Sequence, residues 1–181
     1  MDQIKLTIAL IIAVLLQWTL RNVAEPFVYV DLPLIIVVYA ALQRNSIRAI
    51  FFGTISGLAV DALSGGLLGA NGFTKTLIAY VVSEIARRVY MDNLLLRIPV
   101  IAGACLVSEA LFFGIHRLFG IAIMADPVTT ISYTLIGTTI VGTIIYILLD
   151  RLFTERRSAR KPEVFKQRRQ TRRRNPIRLG K

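Results

Sequence analysis

The sequence predicts an all-α, polytopic membrane protein with about six transmembrane helices. Three observations carry that prediction. First, 55% of the 181 residues are hydrophobic and the mean hydropathy is +0.61, which is too apolar for an ordinary soluble domain of this length. Second, the apolar residues gather in six runs near the ~20 residues that cross ~30 Å of hydrocarbon. Third, Lys and Arg cluster in alternate loops and at one end of the chain, the asymmetry that fixes membrane orientation.

The first predicted span is 4–20, "IKLTIALIIAVLLQWTL". A cleaved signal peptide is disfavoured there. Asp2 accompanies Lys5 in the leading segment, and no small-x-small site follows, the nearest candidate "RNVAE" placing Asn22 where a small residue is wanted. The second span, 28–42, is short; the third and fourth are 47–64 and 71–86; the fifth and sixth are 96–116 and 128–149. With the N-terminus in the cytoplasm, 19 basic residues fall inside and two, Arg21 and Arg117, outside. Both termini are therefore expected to be cytoplasmic.

Charge divides the chain into two parts. Residues 1–150 carry nine basic and nine acidic residues, and residues 151–181 carry 13 and two. The expected organisation is a neutral six-span domain, 1–150, followed by a basic tail, 151–181. The tail is too charged and too poor in apolar residues to fold alone. It suits an anionic inner leaflet, where each basic residue contributes ~1 kcal/mol within a Debye length. Simple enforcement of orientation explains it equally well. Nucleic acid is not expected as a partner of an arm tethered to a membrane.

The stretch "FGTISGLAVDALSGGLLGANGF" sets Gly53, Gly57, Asp61, Gly65 and Gly69 at steps of four, a spacing that keeps residues on nearly one helix face. Gly53 and Gly57 match the small-xxx-small pattern that lets helix backbones approach closely in lipid. Asp61 continues that face. It either finds partners within protein, as a costly intramembrane charge requires, or caps a helix at headgroup level. Gly65 and Gly69 are expected beyond the helix, where glycine permits a tight bend. Lys75 follows after a short hairpin, so that Asp61 and Lys75 are a candidate pair. Lys75, Glu84 and Glu109 are the other charges expected to be buried within spans: Glu84 beside Arg87 and Arg88, and Glu109 about 13 residues into the fifth span, ~20 Å at 1.5 Å per residue. Glu109 reads as interhelical hydrogen bonding or, alternatively, as a substrate contact.

No catalytic constellation is legible: no phosphate-cradling glycine loop with its lysine, no Ser-His-Asp set and no metal-ligand spacing. Cys105 is the only cysteine and His116 the only histidine, so no internal disulfide is available. His116 reads as a rim histidine, since transition-metal sites gather several N or S ligands. No cofactor is expected.

At "GLAVDALSGGLLGANGF" the chain resembles the bacterial rod-shape-determining MreD family, whose glycine-rich signature is matched by Gly57, Asp61, Ser64, Gly66 and Gly69. The run "LPLIIVVYAALQR" before the signature and the basic C-terminal end fit as well. Asp31 and Pro33 stand in the order "DLP", where the resemblance leads one to expect Pro before Asp. The resemblance implies a helical arrangement shared with the substrate-binding components of energy-coupling-factor vitamin transporters. It also implies a non-catalytic scaffold subunit of the cell-elongation complex in the bacterial inner membrane. Its partner would be MreC, with MreB, the RodA glycosyltransferase and a penicillin-binding transpeptidase nearby; a homo-oligomer is open too. Gly53, Gly57, Asp61, Gly66 and Gly69 would shape the contact or the fold behind it. The rival reading is a small-molecule-binding subunit of an energy-coupling-factor-type transporter, although Trp18, the sole tryptophan, lies in the first span and does not favour a vitamin pocket.

Overall fold

The computed structural model describes residues 2–23, 28–89, 94–120 and 126–158; the rest of the basic tail, 159–181, lies outside the described residues. Six helices are described: α1 (Asp2–Val23), α2 (Leu32–Ala41), α3 (Ser46–Ser64), α4 (Ala70–Arg88), α5 (Leu94–Leu118) and α6 (Pro127–Ser158). Helix is what lipid demands, because it satisfies every backbone polar group within the segment. Met1–Ile147 form one compact unit and Leu148–Lys181 a second, whose described part is the end of α6.

Four of the helices are long and apolar enough to cross a membrane: α1 over Gln3–Leu20, α3, α5 over Leu96–Leu118 and α6 over Pro127–Leu149. Their outward faces are rich in Ile, Leu, Val and Phe, as lipid contact requires.

The expected second span, 28–42, is corrected. Helix α2 has ten residues, about 15 Å at 1.5 Å each, too short to cross. Asp31 stops it at its N-terminus. The Asp31 carboxylate accepts from the Leu34 N–H at 2.9 Å, the geometry of an N-cap, and Pro33 in the first turn has no N–H to satisfy. All ten residues are buried, so α2 is a core element. Non-helical backbone before it is tolerable at membrane depth when it is enclosed by protein.

Helix α4 is buried along one face and exposes Phe73, Tyr80, Val81 and Ile85 on the other. Its buried face runs Ala70, Gly72, Thr74, Lys75, Ile78, Ala79, Val82, Ser83 and Ala86, a helical spacing with small and polar residues. That composition leaves it less apolar than the four spanning candidates.

Helices α3 and α4 pair as an antiparallel hairpin. A Cβ on Gly53 would lie 2.7 Å from the Lys75 carbonyl oxygen, and one on Gly57 only 2.3 Å from that of Asn71. No side chain fits either place, so glycine is what brings these backbones together. Thr54 and Thr76 hydroxyls bond across the same seam at 2.8 Å.

Candidate functional site

The α3–α4 turn explains the lone carboxylate on its glycine stripe. Gly65 ends α3 in the left-handed region at φ +64° and its N–H returns to the Asp61 carbonyl. Gly69 begins α4 at φ +98° with no side-chain cap of its own. The first N–H groups of a helix have no intrahelical acceptors. Asp61, one helix earlier, supplies them: its carboxylate accepts from the N–H groups of Gly69 (2.9 Å), Asn71 (3.2 Å) and Gly72 (3.0 Å), and from Asn71 Nδ2 (2.8 Å). Asp61 is buried. Its charge faces the positive end of the α4 dipole, so that four donors replace the water it gave up. Gly66 lies in the turn, its nearest neighbour for an added Cβ being Ser64 Oγ at 3.9 Å.

The expected Asp61–Lys75 pairing is corrected. Lys75 forms its ion pair with Asp31. Asp61 is already occupied by the start of α4, and Lys75, a turn further along, projects towards the start of α2. Lys75 is fully buried, and the Asp31 side chain is 20% exposed. This pair joins a wider knot. The Asp31 N–H donates to Thr138 Oγ1 at 3.1 Å and the Leu32 N–H to Gln17 Oε1 at 3.0 Å. Thr138 Oγ1 donates in turn to the Tyr29 carbonyl at 3.4 Å. One polar cluster therefore ties α1, α2, α4 and α6 together, and the donors at the α2 N-terminus all have acceptors.

The two glutamates are half-buried, not buried. Glu84 sits in the last turns of α4, with Arg87 and Arg88 each at 3.5 Å, where water at the helix end reaches all three. Glu109 lies on α5 at the edge of a cavity. His116 is buried, its Nδ1 2.9 Å from the Phe112 carbonyl and its ring 4.2 Å from the Phe112 ring. Cys105 is buried and free, its thiol donating to the Thr134 carbonyl at 3.6 Å.

That cavity, of about 300 Å³, opens where α1, α3 and α5 finish and α4 and α6 begin. Its polar lining includes Gln17, Asp31, Asn71, Glu109, Thr130 and Thr134, and its aromatic lining is Tyr29, Phe112 and Phe113. A neighbouring cavity of about 370 Å³ shares Gln17, Val28 and Val60 and includes Trp18.

Thr138, Gln17 and Asn71 are not singled out by the sequence, and Asp31 stands out there only for its order with Pro33. For Asp31 a signal exists: an Asp two residues before a proline at the start of an apolar run is a helix N-cap pattern. For Thr138 and Gln17, ordinary polar residues in apolar helices, no sequence signal distinguishes them.

A family model described as rod shape-determining protein MreD matches residues 3–156. No match was found among curated proteins or among solved structures.

Proposed function

We infer the function from one premise: the chain belongs to the rod shape-determining protein MreD family. Membership implies a role in rod shape determination. Beyond that, the reading we put forward is a non-catalytic scaffold subunit of the cell-elongation complex. It sits in the bacterial inner membrane with both termini in the cytoplasm, links MreC and the wall synthases to MreB, and rests its basic tail on anionic lipid. The family match carries this reading. The α3–α4 hairpin supports it, because a backbone-close pair locked by a carboxylate cap is a stiff platform on which to place other chains.

In this reading the signature residues act at two levels. Gly53 and Gly57 face α4 inside the protein, so they affect a partner through the shape of the hairpin. Gly66 and Gly69 shape the turn itself, the part of the signature able to meet a partner directly.

Depletion tests the proposal. Rods are expected to become spheres while wall synthesis continues, and MreC is expected to co-purify in detergent. Normal rods together with failure to recover MreC would end it. The polar cavity favours the rival reading, a transporter subunit, which predicts instead a nutrient-uptake defect with normal rods, rescued by the nutrient. Orientation is tested by cysteine labelling from outside intact cells, which should reach residues 66–70 and not 90–95. The tail is tested by deleting 156–181, which should weaken salt-dependent binding of the cytoplasmic end to anionic vesicles.

A further inference from the structure

Between α4 and α5 runs an open groove of about 300 Å³ with no polar side chain in its lining. Ile78, Val82 and Ala104, all buried, form its floor. Leu77, Val81 and Ile85 form an exposed rim on α4. Gly103 deepens the α5 side, since a Cβ there would meet nothing within 4 Å. Leu77 and Ile85 are eight positions apart, ~12 Å at 1.5 Å each. One leaflet supplies half of the ~30 Å of hydrocarbon. The groove is thus nearly as long as one leaflet is deep, and apolar throughout, which suits an acyl chain lying along the helices.

One mouth of the groove is basic. Positions three, four and seven apart share a helix face. On α4 the rim runs from Val81 and Ile85 to Arg88, the last residue of the helix. On α5 the lining runs from Ala104 and Val100 back to Arg97. Only residues 89–93 separate the two helices, so both arginines stand at the same end. Over 84–97, Arg87, Arg88 and Arg97 outnumber Glu84 and Asp92. The Arg87 and Arg88 side chains are 56% and 78% exposed, each with one long contact of 3.5 Å to Glu84. A guanidinium has five N–H donors, so both keep donors for a phosphate. Arg97 lies against the Tyr146 ring, 4.8 Å from its centroid, and adds its charge. Basic residues at the end of a groove between membrane helices are what anionic headgroups recognise.

We propose that the α4–α5 groove holds one anionic phospholipid of the leaflet beside the α4 C-terminus, with an acyl chain against Gly103 and the phosphate at Arg88. The site is separate from the basic tail and stands or falls independently of the scaffold reading.

The test uses the full chain, delipidated in detergent and mixed with equal amounts of phosphatidylglycerol and phosphatidylcholine of identical chains, with bound lipid counted by native mass spectrometry. One phosphatidylglycerol should be retained about fivefold over phosphatidylcholine, the scale of one basic residue meeting an anionic headgroup. Gly103→Leu, which fills the groove, should remove most of that retention with the thermal unfolding midpoint kept. Arg88→Gln, at an exposed position, should leave a lipid bound and largely erase the preference between headgroups. If Gly103→Leu does not fold, Arg88→Gln decides alone. The tail is the same in every variant, so differences between variants read the groove. Equal retention of the two lipids by the unaltered chain, retention indifferent to Gly103→Leu, or a preference indifferent to Arg88→Gln would each overturn the proposal. So would a second copy or another polypeptide that Gly103→Leu displaces while lipid stays, since a helix would then be the occupant.

Discussion

The α3–α4 hairpin and helix α5 both carry glycines in apolar helix, yet the two regions use them in opposite ways. Along α3, Gly53 and Gly57 are pressed against backbone carbonyls of α4. Along α5, a Cβ on Gly103 or Gly114 would meet nothing within 4 Å. The first pair is a structural requirement and the second is not. A glycine in a membrane helix therefore has no single meaning; the opposing backbone assigns it.

The sharpest way to break this contrast is Gly57→Leu. Its side chain would have to enter space already held by Asn71 and Gly72 backbone, which cannot give as a flexible side chain does. Overpacking typically costs ~1–3 kcal/mol and more when backbone must move, so loss of monodisperse protein in detergent size exclusion is expected. A normal elution profile would show that the hairpin is looser than its distances imply.

The second test removes a charge. Asp31→Asn leaves Lys75 fully buried without its counter-ion, a change that costs ~3–5 kcal/mol when a buried pair is broken from one side. Asp31→Asn/Lys75→Met should recover most of the loss, since it removes the stranded charge. A thermal midpoint no higher in the double variant than in the single one would contradict the pairing.

The third concerns the cap. Asp61→Ala strips acceptors from three backbone N–H groups, and losing a helix cap costs ~0.5–2 kcal/mol. Asp61→Asn, which keeps one acceptor oxygen, should fall between Ala and wild type. Equal thermal midpoints for all three proteins would deny the carboxylate its role at the start of α4.

The smallest effect is expected at Gly103→Ala. With open space around the position and ~1 kcal/mol of helix propensity in favour of alanine, the midpoint should stay level or rise slightly. A large fall would show that α5 is packed as closely as α3, and the comparison would fail.

Much of the architecture is legible in local sequence. Apolar run length predicts α1, α3, α5 and α6, because a segment in lipid must hydrogen-bond within itself. The turn between α3 and α4 is legible too: Gly65 and Gly69 are suited to the positive φ values that the chain adopts there. So is Asp61's need for donors, since a carboxylate in an apolar helix must find them. Which donors it finds is not legible. Asp61 and Lys75 are near in sequence and opposite in charge, and on those grounds they were expected to pair; the N–H groups of α4 were nearer and more numerous.

What the sequence determined by itself is thus the set of helices, the sharp bend in the middle and the presence of buried charges in want of partners. What only the tertiary structure decided is who meets whom. Asp31 joins Lys75 across 44 positions and Thr138 across 107, and α2 is drawn wholly into the core. The reason is a difference in range. Helix formation is settled by bonds four residues long and by a solvent that offers no alternative, whereas these pairings depend on how separate helices stack, and that depends on which small residues let which backbones touch.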